Sequence, residues 1–148
     1  MVASPPAIQI EGIRIMINPE TLQKAVASHT NWKSRLRTAI TRKKFNVPPA
    51  VLKADNQCEF GKWLYGPELS NAEKRTEFYG RVVQMHSLFH LEAAKVVEWA
   101  IAGHEEAAER SLGIGGYATA SADLTRAMNT WRESLSVVRR QHGSSRAQ

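Results

Sequence analysis

The chain is poor in cysteine: Cys58 is the only one among its 148 residues. A single cysteine cannot form an internal disulfide framework, so the sequence predicts a reducing, cytosolic compartment. Long hydrophobic runs are also scarce. The most apolar early segment, residues 7–17, is short and is interrupted by charged and polar side chains. We therefore expect neither a signal peptide nor a membrane span.

The length and composition fit one compact domain. A chain of 148 residues has a common domain length, and a hydrophobic content of 43% can fill one core. From residue 19 onward the apolar residues follow helical spacing, which predicts a helical domain over residues 19–142. Residues 143–148 are polar and are expected to form a flexible tail. In the arm formed by residues 1–18, β-branched residues nearly alternate, which favours a short strand or hairpin.

The formal net charge of +6 raises the question of a nucleic-acid or acidic partner. Many of the basic residues, among them Arg42, Lys43 and Lys44, lie at the expected end of the first helix and in the loop after it. Cations at that position favour the helix dipole, so the pattern indicates a solvated helix end more than a binding surface. No aromatic residues alternate with these cations as a stacking surface requires, and we expect no nucleic-acid partner. An acidic protein partner stays open.

Local signals place the helices along the chain. Asn18 and Pro19 are typical of a helix start. A short helix is predicted over residues 56–65, with Asp55 as its N-cap and Cys58 in its first turn, where the helix dipole favours a thiolate. The pair Ser70 and Glu73 has the form of a capping box opening a long helix that ends near residue 102. Further helices are expected over residues 105–112 and from residue 117 onward. The fold class is therefore all-α, a four-helix bundle with a short extra helix that carries the cysteine.

Three histidines occupy apolar helix faces. His86 and His90 are four residues apart and project from the same side of one helix, while His29 lies on the apolar stripe of the first helix. Each of them alone is more simply a hydrogen-bonded core residue, and Cys58 alone a small hydrophobe. Together they would leave several buried polar groups without partners, and one Zn²⁺ would satisfy all four.

The string CEFGKWLYG at residues 58–66, with His29 upstream and the histidine pair downstream, resembles the chemoreceptor zinc-binding (CZB) domain over roughly residues 19–140. The resemblance implies that His29, Cys58, His86 and His90 are the zinc ligands. It also implies a bacterial homodimer attached to chemotaxis receptors or diguanylate cyclases. The output of such proteins responds to zinc or to oxidation of the cysteine.

Residues around the predicted site have candidate supporting roles. Trp32, Trp63 and Tyr65 are candidates to shield the metal from water. Asp55 and Glu59 are candidates to accept hydrogen bonds from the ligand imidazoles.

The function expected from these observations is a zinc-binding sensory module. It would respond to zinc or to hypohalous oxidants and signal through helix or dimer rearrangement. The alternative is a zinc buffer or a structurally metallated adaptor. A metalloenzyme is disfavoured, because four protein ligands leave no open coordination position. The sequence contains no receptor signalling helix or cyclase domain, so the output is expected either from a partner in trans or from a fused domain outside this chain.

Overall fold

The computed structural model describes the backbone of residues 17–147 and the side chains of residues 17–135. All helices and turns in this part of the chain are consistent with the all-α expectation, and it contains no strand. Of the predicted β arm over residues 1–18, residues 1–16 lie outside the described residues. The last helix continues to Ala147, through most of the predicted tail of residues 143–148, where the structure describes the backbone alone. Within residues 17–147, no helix combines the length and apolar character needed to cross a membrane.

Six α-helices and one 3₁₀ turn make up the described part of the chain. Their bounds are α1 Pro19–Arg42, α2 Pro49–Leu52, α3 Glu59–Tyr65, the 3₁₀ turn Glu73–Arg75, α4 Glu77–Ala102, α5 Glu105–Gly113 and α6 Gly116–Ala147. The three long helices α1, α4 and α6 pack against one another, and the shorter α5 packs against all three. The predicted four-helix bundle is confirmed, with α3, whose N-cap is the cysteine, as the extra helix.

The core lies between these helices, and α4 is at its centre because it contacts α1, α2, α5 and α6. Its completely buried side chains include Val82, Phe89 and Val97. The apolar stripe of α1 is buried as expected from its helical spacing, and it includes Leu22, Leu36 and the polar His29. Burial of a histidine among these residues is costly unless its ring nitrogens have partners.

The start of α1 follows the prediction. The Asn18 side chain accepts a hydrogen bond from the Glu20 amide at 2.9 Å, and Pro19 occupies the first helical position. The helix ends at Lys43, which adopts the left-handed conformation with φ of 57°. The helix α2 was not expected from the sequence, which has prolines at both residues 48 and 49. Pro49 instead occupies the first turn of α2, where its missing amide hydrogen has no cost.

Two predicted helix starts are wrong. Helix α3 begins at Glu59 with Cys58 as its N-cap, not at residue 56 with Asp55 as cap. The capping box of Ser70 and Glu73 does form, with reciprocal hydrogen bonds of 2.9 and 3.1 Å, but it opens only the 3₁₀ turn. Thr76 adopts an extended backbone, interrupts the helical path and caps α4, which begins at residue 77. A capping box satisfies the first amides of a turn but cannot by itself determine how far the turn continues.

Candidate metal centre

Three separate segments bring four potential ligands to one point. His29 comes from the middle of α1, Cys58 from the N-cap of α3, and His86 and His90 from successive turns of α4. One ligand atom of each residue lies within 4.8 Å of the ligand atoms of the other three. The three imidazoles are buried, whereas Cys58 is half-buried. The four residues predicted as ligands are therefore in one cluster.

The distances within the cluster match the edges of a metal tetrahedron. Zinc–nitrogen distances of about 2.05 Å and a zinc–sulfur distance of about 2.3 Å imply edges of about 3.3 Å between nitrogens and about 3.6 Å between nitrogen and sulfur. The Nε2 atoms of His86 and His90 are 3.1 Å apart, and the Cys58 Sγ atom lies 3.4 and 3.6 Å from them. These three donors already have the spacing that one ion requires.

Two of the imidazoles are oriented by backbone carbonyl groups. Nδ1 of His29 donates to the Ala25 carbonyl at 2.8 Å, and Nδ1 of His90 donates to the Leu52 carbonyl at 2.9 Å. Since a neutral imidazole carries one N–H, each Nε2 atom presents a lone pair to the cluster. Nε2 of His29 is buried and accepts no hydrogen bond from any described residue. A metal ion would provide the missing partner, so these residues fit Zn²⁺.

Burial keeps the imidazoles neutral. It lowers the pKa of His29 to about 4 and that of His86 to about 2, and it also lowers the pKa of His90. The Leu52 carbonyl, which accepts from His90, acts in the opposite direction. Neutral imidazole is the form that binds a metal, so no proton has to be removed from these rings at neutral pH. Nδ1 of His86 is buried without a described partner, so its ring orientation depends on packing and on its Nε2 contacts.

The cysteine is held by the start of its own helix. Its Sγ atom accepts a hydrogen bond from the Gly61 amide at 3.3 Å. The backbone of Gly61 passes so close to the Asp55 carbonyl that a Cβ at this position would collide with it. Glycine is therefore required at this position in the CEFGKWLYG string, both to admit the preceding loop and to direct its amide at the sulfur.

In the metal-free chain, the thiolate form of Cys58 is disfavoured, contrary to the expectation from its position at a helix start. Burial raises the pKa of the Cys58 thiol, and the backbone amides of Gly61 and Phe60 only partly oppose this effect. The sulfur has lost more solvation than these amides replace. A nearby cation is thus needed to favour the thiolate, and Zn²⁺ is such a cation.

The surroundings of the site differ in part from those expected. Trp32 lies edge-on to His90 with ring centroids 6.3 Å apart, as a shielding residue would. Trp63 contacts no ligand ring closely and stacks instead on Phe60, which lies edge-on to His86 at 5.2 Å. Phe60 and Phe89 therefore shield the imidazoles more directly, and sequence reasoning missed both. Phe60 is part of the CEFGKWLYG string, which was the available signal.

The polar candidates near the site have other partners. Tyr65 is 42% exposed, and its hydroxyl donates to the Asp55 carboxylate at 2.6 Å across the loop before Cys58. Asp55 is thus engaged with Tyr65 and accepts no hydrogen bond from a ligand ring, while Glu59 is exposed. The acceptors for the imidazoles are the carbonyls of Ala25 and Leu52. No side-chain pattern could have indicated them, because every residue has a carbonyl group.

Comparison with known families agrees with this geometry. Residues 29–97, slightly less than half of the chain, match the family described as chemoreceptor zinc-binding domain, CZB. The matched segment begins at the first ligand position and includes the other three. Neither the curated proteins nor the solved structures give a significant match. The family resemblance inferred from the sequence is confirmed, and the cluster of three nitrogens and one sulfur is positioned to bind a metal.

Proposed function

We propose that this chain is a chemoreceptor zinc-binding domain that holds one Zn²⁺ through His29, Cys58, His86 and His90 and acts as a sensory module. The observation that carries the proposal is the convergence of four donor atoms from three segments, with three of them already at tetrahedral spacing. When bound, Zn²⁺ would stabilise the Cys58 thiolate and join α1, α3 and α4. Four protein ligands leave no position for a reacting water molecule, so we do not propose a hydrolytic activity.

Cys58 is the residue on which sensing would depend. It is half-buried, whereas the three histidines are buried, so the sulfur is the donor that an oxidant reaches most easily. A thiolate reacts with hypochlorous acid to give sulfenic acid and chloride; the sulfur loses two electrons and the chlorine gains them. Sulfenic acid is neutral when protonated and is a weaker ligand than thiolate. Oxidation would therefore remove the one anionic donor.

Loss of that donor would release a defined part of the fold. Cys58 is both the N-cap of α3 and the contact between α3 and the two histidines of α4. Without it, the segment around residues 53–65 would keep its apolar contacts, the exposed salt bridge from Lys53 to Glu98, and the hydrogen bonds of Tyr65 and Tyr79. The rearrangement would start in this segment and alter the adjacent surface of α4.

We propose that the chain works as a homodimer and transmits this rearrangement to a signalling protein or a fused output domain, as in chemotaxis or cyclic-di-GMP signalling. Leu88 and Leu91 support the dimer, since they are 43% and 42% exposed on the same side of α4. We expect Leu88→Lys to shift the chain toward monomer in light scattering, and Glu109→Lys, at an exposed residue of α5, to leave the mass unchanged. A monomeric wild-type chain would contradict the dimer but not the zinc site.

The test of the zinc proposal is elemental analysis of protein purified without added metal. We expect about one zinc per chain, and loss of most of it in Cys58→Ala and His86→Ala. His104→Ala is the matched control, because this exposed histidine lies outside the cluster. Absence of zinc from the wild-type chain, or equal retention in all variants, would overturn the proposal.

A second measurement separates sensing from a structural or buffering role. Hypochlorous acid is added to the zinc-loaded chain, and zinc release is followed with a chromogenic chelator while helicity is followed by circular dichroism. Release of zinc with the bundle still folded supports a sensor. Zinc that is not released, or release that unfolds the whole bundle, supports the alternative of a structurally metallated or zinc-buffering protein.

A further inference from the structure

A second concave site lies at the C-terminal end of α1. It is a cavity of about 470 Å³ lined by Arg35, Thr38, Ala39, Arg42, Lys44, Phe45 and Asn46. This volume is in the range of small-molecule sites. Three of the lining residues are cationic and none is acidic. None of the three cations forms a salt bridge within residues 17–135. The cavity therefore concentrates positive charge without an internal counter-charge.

One cation is held in place by aromatic rings. The Arg35 guanidinium lies 4.3 Å from the centroid of the Trp32 ring and 5.2 Å from that of Phe45. The two rings are themselves neighbours, with centroids 5.9 Å apart. A guanidinium over an aromatic face keeps its N–H groups at its edge free for an anion. No aromatic residue alternates with these cations in the sequence, but the fold brings Trp32 beside Phe45 and places Arg35 over both rings.

A solvated helix end does not fully account for this arrangement. The C-terminus of α1 carries about half a negative charge, whereas Arg35, Arg42 and Lys44 together contribute three positive charges. Arg35 also lies almost two turns before the helix end, where the dipole effect has faded. Most of the positive charge is thus available to a ligand.

We propose that this basic cavity binds a small organic phosphate. Three cations favour an anion with more than one charge, and a phosphate monoester carries between one and two charges at neutral pH. Two guanidinium groups match the geometry of phosphate oxygens. The cavity is larger than an inorganic ion needs, and Phe45 adds an apolar side for an organic group.

The test uses the full-length chain as purified and adenosine monophosphate as the probe, with binding measured by calorimetry at low ionic strength. We expect saturable binding that weakens about tenfold or more in Arg42→Glu, the loss typical of one charge-assisted contact. Arg37→Glu is the matched control: it makes the same change of charge on the same helix at an exposed residue that does not line the cavity.

Four outcomes would overturn the phosphate site. One is no saturable binding by the wild-type chain. Another is an equal loss in Arg42→Glu and Arg37→Glu, which would indicate general attraction by the positive surface. The third is equal binding of adenosine, which would show that the phosphate group is not recognised. Vesicles of phosphatidylglycerol are titrated in parallel, and binding to vesicles without binding of the free monophosphate would also overturn the proposal.

The cavity is connected to the metal centre, and this consequence rests on the proposed zinc function. Trp32, which supports Arg35, lies against His90. The loop of residues 43–48, which carries Lys44 and Phe45, leads directly into α2. The Leu52 carbonyl of α2 orients the His90 imidazole. A bound phosphate would therefore change zinc affinity, and by thermodynamic linkage bound zinc would change phosphate affinity by the same factor.

Zinc affinity is measured by equilibrium competition with a chelator, with and without adenosine monophosphate, in wild type and in Arg42→Glu. The probe itself binds zinc weakly, and this effect is equal in both proteins. An effect of the probe on zinc binding that occurs in wild type and not in Arg42→Glu therefore supports the coupling. An equal effect in both, or none in wild type at saturation, overturns the coupling. The calorimetric test of the phosphate site does not depend on zinc, so the two failures are distinguishable.

Discussion

The Gly61 amide donates to the Cys58 sulfur at 3.3 Å, while the other side of the same glycine lies against the Asp55 carbonyl. A methyl group at position 61 has no room, because the neighbouring atoms are backbone. We expect Gly61→Ala to displace the loop before Cys58 and to lower zinc retention substantially, as measured by elemental analysis.

Gly80→Ala is the matched control for this change. No atom lies within 4 Å of the position that its Cβ would occupy, and it lies in the helix α4. We expect this variant to keep its zinc and to gain about 0.5–1 kcal/mol in the free energy of unfolding, because alanine restricts the unfolded chain and favours helix. Equal zinc loss in both variants would refute the explanation by close packing.

Cys58 is both the N-cap of α3 and a proposed zinc ligand, and substitution by serine or by alanine distinguishes these two roles. Serine is a good N-cap but a poor zinc ligand at this position, whereas alanine can fill neither role. We expect Cys58→Ser and Cys58→Ala both to lose zinc. In their metal-free forms, Cys58→Ser should be more stable than Cys58→Ala by about 1 kcal/mol in urea unfolding, the typical difference between a good and a poor cap. Equal stability would show that a side-chain cap at position 58 contributes little to the start of α3.

The metal-free chain should lose stability in acid. Burial lowers the pKa of His29 from 6.5 to about 4, so between these values the unfolded chain binds a proton that the folded chain does not. Protonation therefore favours unfolding: the contribution of neutral His29 is present above pH 6.5 and is lost as the pH falls toward 4. We expect the urea midpoint to fall over this range.

His29→Leu should weaken that dependence on pH, and His104→Ala, at an exposed histidine, should leave it unchanged. The measurement is a series of urea titrations between pH 7 and pH 4 on protein stripped of metal. A midpoint that is independent of pH in wild type would contradict the neutral, buried state of the imidazole.

The hydrogen bond from Tyr65 to Asp55 closes the loop that precedes the cysteine. We expect Tyr65→Phe to loosen this loop and to raise the rate at which Cys58 reacts with a thiol reagent in the metal-free chain by several-fold, with zinc content unchanged after reloading. Tyr79→Phe is the matched control, since it removes a comparable bond to the Leu64 carbonyl at the far end of α3. A reaction rate that is the same in all three proteins would exclude a role of the Tyr65 bond in access to the sulfur.

What the sequence could determine was local. Spacing of four residues placed His86 and His90 on one side of a helix, and Asn18 with Pro19 marked the start of α1, because both depend only on the geometry of one helix. The chemistry of three imidazoles and one thiol indicated zinc before any contact was known. The same local signals misplaced the start of α4, since Thr76 interrupts the path that the capping box opened.

Only the tertiary structure decided which backbone groups serve the site. The Leu52 carbonyl and Nδ1 of His90 are 38 residues apart in sequence, and carbonyl groups leave no trace in a residue pattern. The position of Cys58 as an N-cap depends on how the loop containing Asp55 packs against Gly61. The meeting of Trp32, Arg35 and Phe45 likewise depends on the turn at the end of α1. A sequence records helical periodicity directly, whereas these contacts result from how separate helices and loops fill the same space.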